Sequence, residues 1–191
     1  MRRSSCGASL RPSTMSGRDG PLVLRVAFVL YPDEPDEGWL HWAVSELAPL
    51  WGGPCHMGVP VPFDTTGYYR DIAPRLLRRL LVFPGLVGAG GLAGWKIQSC
   101  EVEARSRRPV RAVNVDPGWV DGARLILAST KDHAHRIWLR DGIYAEVTLT
   151  YRFGQWTSYA HTFPDIKSGA YDADLSTARR LWLEERRAAR R

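Results

Sequence analysis

Apolar runs and amphipathic segments alternate along the first part of the chain and indicate strands and helices in turn. The run PLVLRVAFVLYP, residues 21–32, has the continuous apolar pattern of a buried strand. Apolar positions then recur at helical spacing, at Trp39, Leu40, Ala43, Leu47 and Leu50. The pair Gly52-Gly53 marks the end of this helix. Residues 55–63 look extended but hold two prolines, which predicts an edge strand or a loop.

The middle of the chain has a less regular pattern. Residues 68–84 alternate between apolar and basic side chains, and Pro74 argues against a single helix through them. The glycines of residues 85–91 predict a flexible break, and residues 92–106 have the pattern of a helix. Residues 110–119 predict a strand that ends in an Asp-Pro-Gly turn, because Asp accepts backbone N–H bonds and Pro and Gly favour turns.

Strands dominate the second half. Segments 123–130, 134–140 and 142–156 are rich in β-branched and aromatic residues, as strands are. Residues 174–188 form a closing amphipathic helix, whose apolar stripe consists of Leu175, Ala178, Leu181 and Trp182. This order of elements, with a strand meander before the last helix, predicts an α+β domain with a largely antiparallel sheet and packed helices.

The sequence RDG at residues 140–142 predicts a hairpin whose register depends on turn length. A two-residue turn mixes polar and apolar residues on both faces of the hairpin, whereas a three-residue turn with Gly142 in the left-handed conformation separates them. We therefore predict the three-residue turn. The resulting cross-strand pairs are Leu139 with Ile143, Trp138 with Tyr144, Ile137 with Ala145, and Arg136 with Glu146.

Composition and charge place these elements in one globular domain. The 191 residues and the hydrophobic fraction of 45% suit one core, and the chain has no run of about 18 apolar residues that predicts a membrane span. The net charge is +6, but residues 1–20 carry +3 and residues 184–191 carry +2. We expect a disordered extension (1–20), a domain (21–183) and a basic tail of the last helix (184–191), which makes nucleic acid a less favoured partner.

Several common functional signatures are absent. The segment before residue 21 lacks the apolar stretch of a signal peptide, so the cytoplasm is the expected location. Cys6, Cys55 and Cys100 lie far apart without a C-x-x-C pair, which argues against a disulfide framework and a cysteine zinc site. The chain also has no phosphate-binding loop, dinucleotide fingerprint, nucleophile elbow or zinc-protease motif.

Polar residues near the centre of the chain are candidates for chemistry. Asn114 and Asp116 share one face of the predicted strand because side chains alternate along it. For Asp116 two interpretations stay open, a turn former and a ligand or metal contact at the end of a strand. The helix 92–106 places Lys96, Ser99, Cys100 and Glu103 on one face. That face is either exposed to solvent or turned towards a ligand.

The segment STKDHAHR, residues 129–136, concentrates basic side chains. Lys131 and Arg136 suit a phosphate group, while His133 and His135 leave a metal site as an alternative. Glu146 lies within an apolar strand, where a carboxylate needs a partner. The predicted hairpin register supplies Arg136 as that partner.

Five stretches of the chain together have the pattern of a known family: TGYY (66–69), WKIQSCEVE (95–103), RAVNVDPGWV (111–120), ASTKDHAHRIWLRDGIYAEVTL (128–149) and TFPD (162–165). Through them the chain resembles an uncharacterised bacterial family filed as a domain of unknown function of the DUF 4416 type, and the resemblance covers residues 21–183. The family pattern has Asn where this chain has Cys100. The resemblance implies no established reaction, and the GTP-binding label of some members has no phosphate loop to support it here.

The polar residues of these stretches lead to one favoured hypothesis, a cytoplasmic domain that binds or processes a phosphorylated small molecule or nucleotide. In it, Asp116, His135 and Glu146 are the candidate catalytic residues, and the carboxylates could hold Mg²⁺. The expected ligand-binding residues are Tyr68, Tyr69, Lys96, Glu103, Arg111, Asn114, Lys131, Arg136 and Asp165.

Two other hypotheses stay open. In a non-catalytic adaptor, the same charged residues form a buried ion-pair network that fixes the fold, and exposed aromatic residues mark a protein interface. In an RNA-binding module, Trp138 and Tyr144 form a stacking surface flanked by Arg136. Whether the domain is an enzyme, and its oligomeric state, are not predicted by these patterns.

Overall fold

A computed structural model describes residues 20–64, 69, 72–106 and 111–191. The elements of this described part alternate in a short α/β region and then continue as a run of strands. In chain order they are β1 (Leu22–Pro32), α1 (Gly38–Trp51), β2 (His56–Met57), β3 (Val61–Pro62), β4 (Leu76–Gly88), α2 (Leu92–Arg105), β5 (Asn114–Val120), β6 (Arg124–Ser129), β7 (Ile137–Arg140), β8 (Ile143–Arg152), β9 (Gln155–Ser158), α3 (Pro164–Lys167) and α4 (Asp172–Ala188).

One sheet organises these elements. Within the described residues it has nine strands, in the order β2-β4-β1-β5-β6-β8-β7, with β3 beside β4 and β9 beside β8. Every strand pair in it is antiparallel. The predicted α+β fold with a largely antiparallel sheet is therefore confirmed.

The two faces of the sheet bury separate apolar cores because successive side chains of a strand point in opposite directions. On β1, Val29 packs with Leu40 of α1 and Val102 of α2 on one face. Its neighbour Phe28 packs on the other face with Tyr171 and with Leu175 of α4. The predicted strand 21–32 and the predicted helices 39–50, 92–106 and 174–188 correspond to β1, α1, α2 and α4.

Strand β4 is the main element that the sequence pattern did not predict. It pairs with β1 from Leu76 to Gly88, so the expected flexible break at residues 85–91 is wrong. Gly85 lies instead at an irregularity of the ladder, where the register shifts between Leu24 and Val26 of β1, and it adopts a positive φ of 84°. The short edge strands β2 and β3, predicted as an edge strand or loop, pair with the outer side of β4.

The predicted Asp-Pro-Gly turn is also wrong, because β5 runs through it from Asn114 to Val120. Pro117 lacks an N–H, and the ladder between β5 and β6 extends only from Gly118 to Val120 on the β5 side. Gly118 permits this close approach, since a Cβ there would lie 2.2 Å from the carbonyl oxygen of Ile126. The Pro-Gly pair therefore marks the point at which β5 begins to pair with β6.

The hairpin of β7 and β8 confirms part of the predicted register. The pairs Ile137–Ala145 and Trp138–Tyr144 are present, but Arg140 faces Ile143 across a two-residue turn. Asp141 and Gly142 form that turn with φ values of 52° and 71°. The ladder is irregular between Trp138 and Arg140, so Leu139 is an extra residue on β7. Because of it, Trp138 and Ile137 have the partners that the three-residue turn predicted.

Other expectations concern the ends of the chain and the last strand. The predicted strand 142–156 is two strands, since the chain turns at Phe153 and Gly154, which both have positive φ, and β9 pairs back onto β8. The expected N-terminal extension lies almost wholly outside the described residues, and α4 continues to Ala188. Among the described helices, none is long and apolar enough to cross a membrane.

Candidate functional site

Strands β5 and β6 diverge before Gly118, and two side chains of α2 enter the gap. The Lys96 ammonium donates to the carbonyl of Val115 at 2.8 Å, and the Val115 N–H donates to the Glu103 carboxylate at 2.9 Å. These two side chains occupy the hydrogen-bonding positions that a neighbouring strand would otherwise take. Lys96 and Glu103 are 5% and 6% exposed, so the face of α2 that carries them is buried and not exposed to solvent.

Asp116 is the centre of the charged network. Its carboxylate accepts from Lys96 Nζ at 3.2 Å, from Asn114 Nδ2 at 2.9 Å and from an Arg78 nitrogen at 3.4 Å. Burial by itself raises the pKa of this carboxyl, but the nearby Lys96 and Arg78 cations outweigh burial and hold the pKa below its ordinary value. Asp116 is therefore an ionised acceptor and a poor proton carrier near neutral pH.

Arg78, on β4, is a site residue that the sequence reasoning missed. Its side chain is 3% exposed and binds Asp165 through an N–O distance of 3.0 Å, and its guanidinium lies 4.6 Å from the ring centre of Phe28. Tyr171 also donates to Asp165, at 3.0 Å. Asp165 thus lies behind Arg78 and positions it. The sequence feature that could have indicated a buried Arg78 is the alternation in LLRRLLVF, residues 76–83. It puts Arg78 on the same strand face as buried Leu80.

A second ion pair forms the opposite wall of the site. Arg136 donates through Nε to Glu146 at 2.7 Å, and the two side chains are 7% and 2% exposed. Arg136 also donates to the Ser129 hydroxyl at 2.7 Å and to the Lys131 carbonyl at 3.0 Å. The predicted contact between Arg136 and Glu146 is confirmed, and it anchors the loop after β6 to strand β8.

These groups surround a cavity of about 100 Å³, which we call the polar cavity. Its walls come from α2, β4, β5, β6, β8 and the loops between them. The residues that line it are Tyr69, Arg78, Lys96, Cys100, Glu103, Arg111, Asn114, Asp116, Leu127, Ala128, Ser129, Thr130, Lys131, Arg136, Glu146 and Phe163. Five of them are cationic and three are carboxylates, so the lining has a formal charge of +2.

The polar cavity brings together most of the residues that the sequence singled out. Nine predicted site residues line it: Tyr69, Lys96, Glu103, Arg111, Asn114, Asp116, Lys131, Arg136 and Glu146. His135 and Asp165 do not line it, and they contact Glu146 and Arg78 from behind. Tyr68 lies outside the described residues.

The polar cavity also shifts the ionisation of two neutral groups. Burial, helped by the Asp116 carboxylate, raises the pKa of the Tyr69 phenol to about 12. Burial likewise raises the pKa of the Cys100 thiol, although the Lys96 cation opposes the change. Both groups are therefore neutral near pH 7, and neither provides an activated nucleophile.

The part of the chain that forms the polar cavity lies within a stretch that matches a family model. A family model described as a domain of unknown function (DUF4416) matches residues 21–182. The chain belongs to this DUF4416 family. No curated protein and no solved structure gives a significant match. Residues 21–182 include every described residue that lines the polar cavity, so the cavity lies wholly within the DUF4416 domain.

The carboxylates of this DUF4416 site are already occupied by donors. Glu103 accepts from Arg111 at 2.8 Å and from the Val115 N–H, and Glu146 accepts from Arg136 and, at 3.4 Å, from Thr148. Among the residues that the structure describes, no group of three or more His, Cys, Asp and Glu side chains is placed to share a metal ion.

The histidines near the site form a stack of rings. His135 lies parallel to His161 at 4.2 Å and to His133 at 5.7 Å between ring centres. His135 Nε2 lies 3.2 Å from Glu146, and His161 Nε2 donates to the Val147 carbonyl at 3.0 Å. The two rings of the predicted His-x-His metal pair are thus stacked face to face, with one nitrogen of His135 turned to Glu146.

The proposed RNA-stacking surface has its aromatic pair but not its cation. Trp138 and Tyr144 are cross-strand neighbours, and Trp138 is 58% exposed. Arg136, expected to flank them, is 7% exposed and held by Glu146. Its guanidinium is turned to Glu146, Ser129 and the polar cavity, so it does not flank the surface that Trp138 and Tyr144 form.

Proposed function

We propose that the polar cavity binds the phosphate, or an equivalent anionic group, of a phosphorylated small molecule or nucleotide. The observation that carries the proposal is the charge of its lining, in which five cationic side chains face three carboxylates. A cleft lined by excess positive charge attracts an anion more strongly than a surface of balanced charge does.

The size of the polar cavity supports an anionic group and not a whole nucleotide within it. A buried water needs roughly 10–15 Å³ of such volume, so a cavity of about 100 Å³ has room for several waters or one oxyanion group of phosphate size. The remainder of a larger ligand would lie outside the polar cavity.

The carboxylates act in this proposal as positioning groups for the cations. Asp165 and Asp116 hold Arg78, and Glu103 holds Arg111 at 2.8 Å and Lys96 at 3.6 Å. Ordered cations bind an oxyanion with less loss of side-chain entropy than mobile ones. Catalysis by Asp116 has weaker support, because its lowered pKa makes it a weak base.

Isothermal titration calorimetry at low ionic strength tests the proposal, with inorganic phosphate, a sugar phosphate and a nucleotide as ligands. Arg111→Gln removes a cation of the lining that is 27% exposed, and we expect binding to weaken about tenfold or more. Arg105→Gln is the matched control, because Arg105 pairs with Glu46 outside the polar cavity. Equal affinities for the two variants, or no binding by the unaltered protein, would contradict the proposal.

The adaptor hypothesis has one observation in its favour. Among the described buried side chains, Arg25 Nε is the single nitrogen or oxygen atom that has no hydrogen-bond partner. The fully buried atoms of the charged network thus have partners without a ligand, as they would in a purely structural network. An adaptor predicts that Arg111→Gln lowers the melting temperature while the unaltered protein gives no binding heat with any phosphate compound.

A further inference from the structure

The hairpin of β8 and β9 ends in an exposed phenylalanine. Arg152 pairs with Gln155, so Phe153 and Gly154 form a two-residue turn, and their φ values are 51° and 84°. Such turns favour Asn-Gly or Asp-Gly, because a bulky side chain is strained at positive φ. Phe153 is also fully exposed, at 101%, so no packing within the domain compensates for this strain.

Arginines surround the base of this hairpin. Arg152 precedes Phe153 in the chain, and Arg124, the first residue of β6, pairs with the same end of β8. The guanidinium of Arg179, on α4, lies 4.0 Å from the ring centre of Tyr151. Strand β6, the hairpin and α4 therefore bring cations to one end of the sheet.

We call this region the basic end, which consists of Asp121, Arg124, Arg152 and residues 179–191. Trp182 fixes α4 there, because its Nε1 donates to the carbonyl of Leu22, the first residue of β1, at 3.0 Å. The basic end contains eight arginines and three carboxylates, which give a formal charge of +5. The rest of the chain carries +1, because the whole chain carries +6.

Most of the cations in the basic end are not neutralised. Within the described residues, its ion pairs are Arg124 with Asp121 and Arg180 with Glu184. The other six arginines form no ion pair there, and Arg152, beside the exposed ring, is itself exposed. The basic end thus combines positive charge with a projecting apolar ring, as surfaces that bind anionic lipid do.

We propose that the basic end binds peripherally to an anionic membrane surface, with Phe153 inserted among the lipids and the arginines beside their phosphate groups. The ring projects from a turn, so it needs an apolar medium that forms around it, and a lipid layer provides one. The proposal does not depend on the function of the polar cavity. Arg124 and the cavity-lining Ser129 lie at opposite ends of β6, so bound lipid would leave the polar cavity open.

Co-sedimentation with vesicles tests the proposal. The anionic vesicles contain phosphatidylserine and phosphatidylcholine in equal amounts, and the neutral vesicles contain phosphatidylcholine alone. Each arginine near an anionic surface contributes about fivefold to binding, so we expect the neutral vesicles to bind the protein at least about fivefold more weakly. Added salt should weaken binding to the anionic vesicles. Equal binding to both vesicles, or no binding to the anionic ones, would overturn the proposal.

Substitutions of Phe153 separate insertion from attraction by charge alone. Phe153→Asn should weaken binding about tenfold or more without lowering the melting temperature, because Asn is favoured in this turn. Phe153→Trp should keep the binding, since Trp suits the membrane interface. The matched control is Val59→Asn, at a 60% exposed residue whose N–H donates to Asp174 in the first turn of α4. Unchanged binding by Phe153→Asn would overturn the insertion of the ring.

A second pair of variants tests the charge. Arg152→Gln should weaken binding to the anionic vesicles about fivefold. Arg75→Gln is the control, because Arg75 is 80% exposed and pairs with Asp33 outside the basic end, and it should bind as the unaltered protein does. Equal binding by the two variants would overturn the role of the basic end. Binding to a single-stranded oligonucleotide in preference to the anionic vesicles would overturn the assignment to lipid.

Discussion

Replacing Asp116 by asparagine is expected to lower the stability of the fold and to strengthen anion binding. Asp116 is the carboxylate that Lys96, Arg78 and Asn114 share. The substitution keeps the shape of the side chain and removes one negative charge from the lining of the polar cavity. A residue with a purely structural role would show the loss of stability without any effect on a ligand.

The contacts that remain set the size of the loss. Removing one partner of a buried ion pair costs roughly 3–5 kcal/mol. Lys96 keeps Glu103 at 3.6 Å and Arg78 keeps Asp165 at 3.0 Å, so we expect about 3 kcal/mol, the lower end of that range. For the ligand, a unit charge at roughly 8 Å with an effective dielectric constant of about 20 contributes about 2 kcal/mol, or roughly 30-fold in Kd.

The loss of stability should also depend on pH. The folded pKa of Asp116 lies below its ordinary 3.8, so its carboxylate stabilises the native state fully above that ordinary value. This contribution is lost as the pH falls through the lower folded pKa. The difference in stability between the unaltered protein and Asp116→Asn is therefore expected to stay constant from about pH 5 to 8 and to shrink below about pH 4.

Urea unfolding followed by tryptophan fluorescence measures the stability at each pH, and calorimetry with inorganic phosphate measures the binding. Two results would refute the reasoning. One is a variant whose stability at pH 7 lies within roughly 0.5 kcal/mol of the unaltered protein, the range of a neutral surface change. The other is a folded variant that binds phosphate less tightly than the unaltered protein does.

Three further predictions concern single residues. Gly118→Ala should destabilise the fold by about 1–3 kcal/mol in urea unfolding, because its Cβ would lie 2.2 Å from the Ile126 carbonyl oxygen. Gly53→Ala is the control and should be nearly neutral, because a Cβ there would have nothing within 4 Å. Equal effects of the two substitutions would contradict the close approach at Gly118. Cys100, whose pKa is raised by burial, should react with iodoacetamide at pH 8 more slowly than a free cysteine peptide does; a faster reaction would refute this. Ultraviolet titration of the unaltered protein against Tyr69→Phe should show a phenol that ionises near pH 12, and an ordinary value near 10 would contradict its burial.

The elements that the sequence predicted well have local apolar periodicity. Helix α4 has apolar residues at helical spacing and strand β1 is a continuous apolar run, and both patterns are visible without knowledge of their neighbours. The contact of Arg136 with Glu146 was also predictable, because a hairpin brings together residues ten positions apart and the pattern of its faces limits the register.

The features that the sequence did not predict depend on distant partners. Arg78 gives β4 a mixed apolar and basic pattern, and its burial is explained by ion pairs with Asp165 and Asp116, which lie 87 and 38 residues away in the chain. The sequence Asp-Pro-Gly has the chemistry of a turn, but tertiary pairing of β5 with β1 keeps it extended. Local sequence preferences carry no information about these distant contacts, so neither feature can be predicted without the complete fold.

An anomalous diffraction experiment on crystals grown with selenate tests the central claim most directly, because selenate has the charge and tetrahedral shape of an oxyanion ligand. We predict an anomalous peak inside the polar cavity, within hydrogen-bonding distance of at least two of the cations Arg78, Lys96, Arg111, Lys131 and Arg136. A polar cavity that contains water alone, while selenate binds elsewhere on the same molecule, would contradict the account.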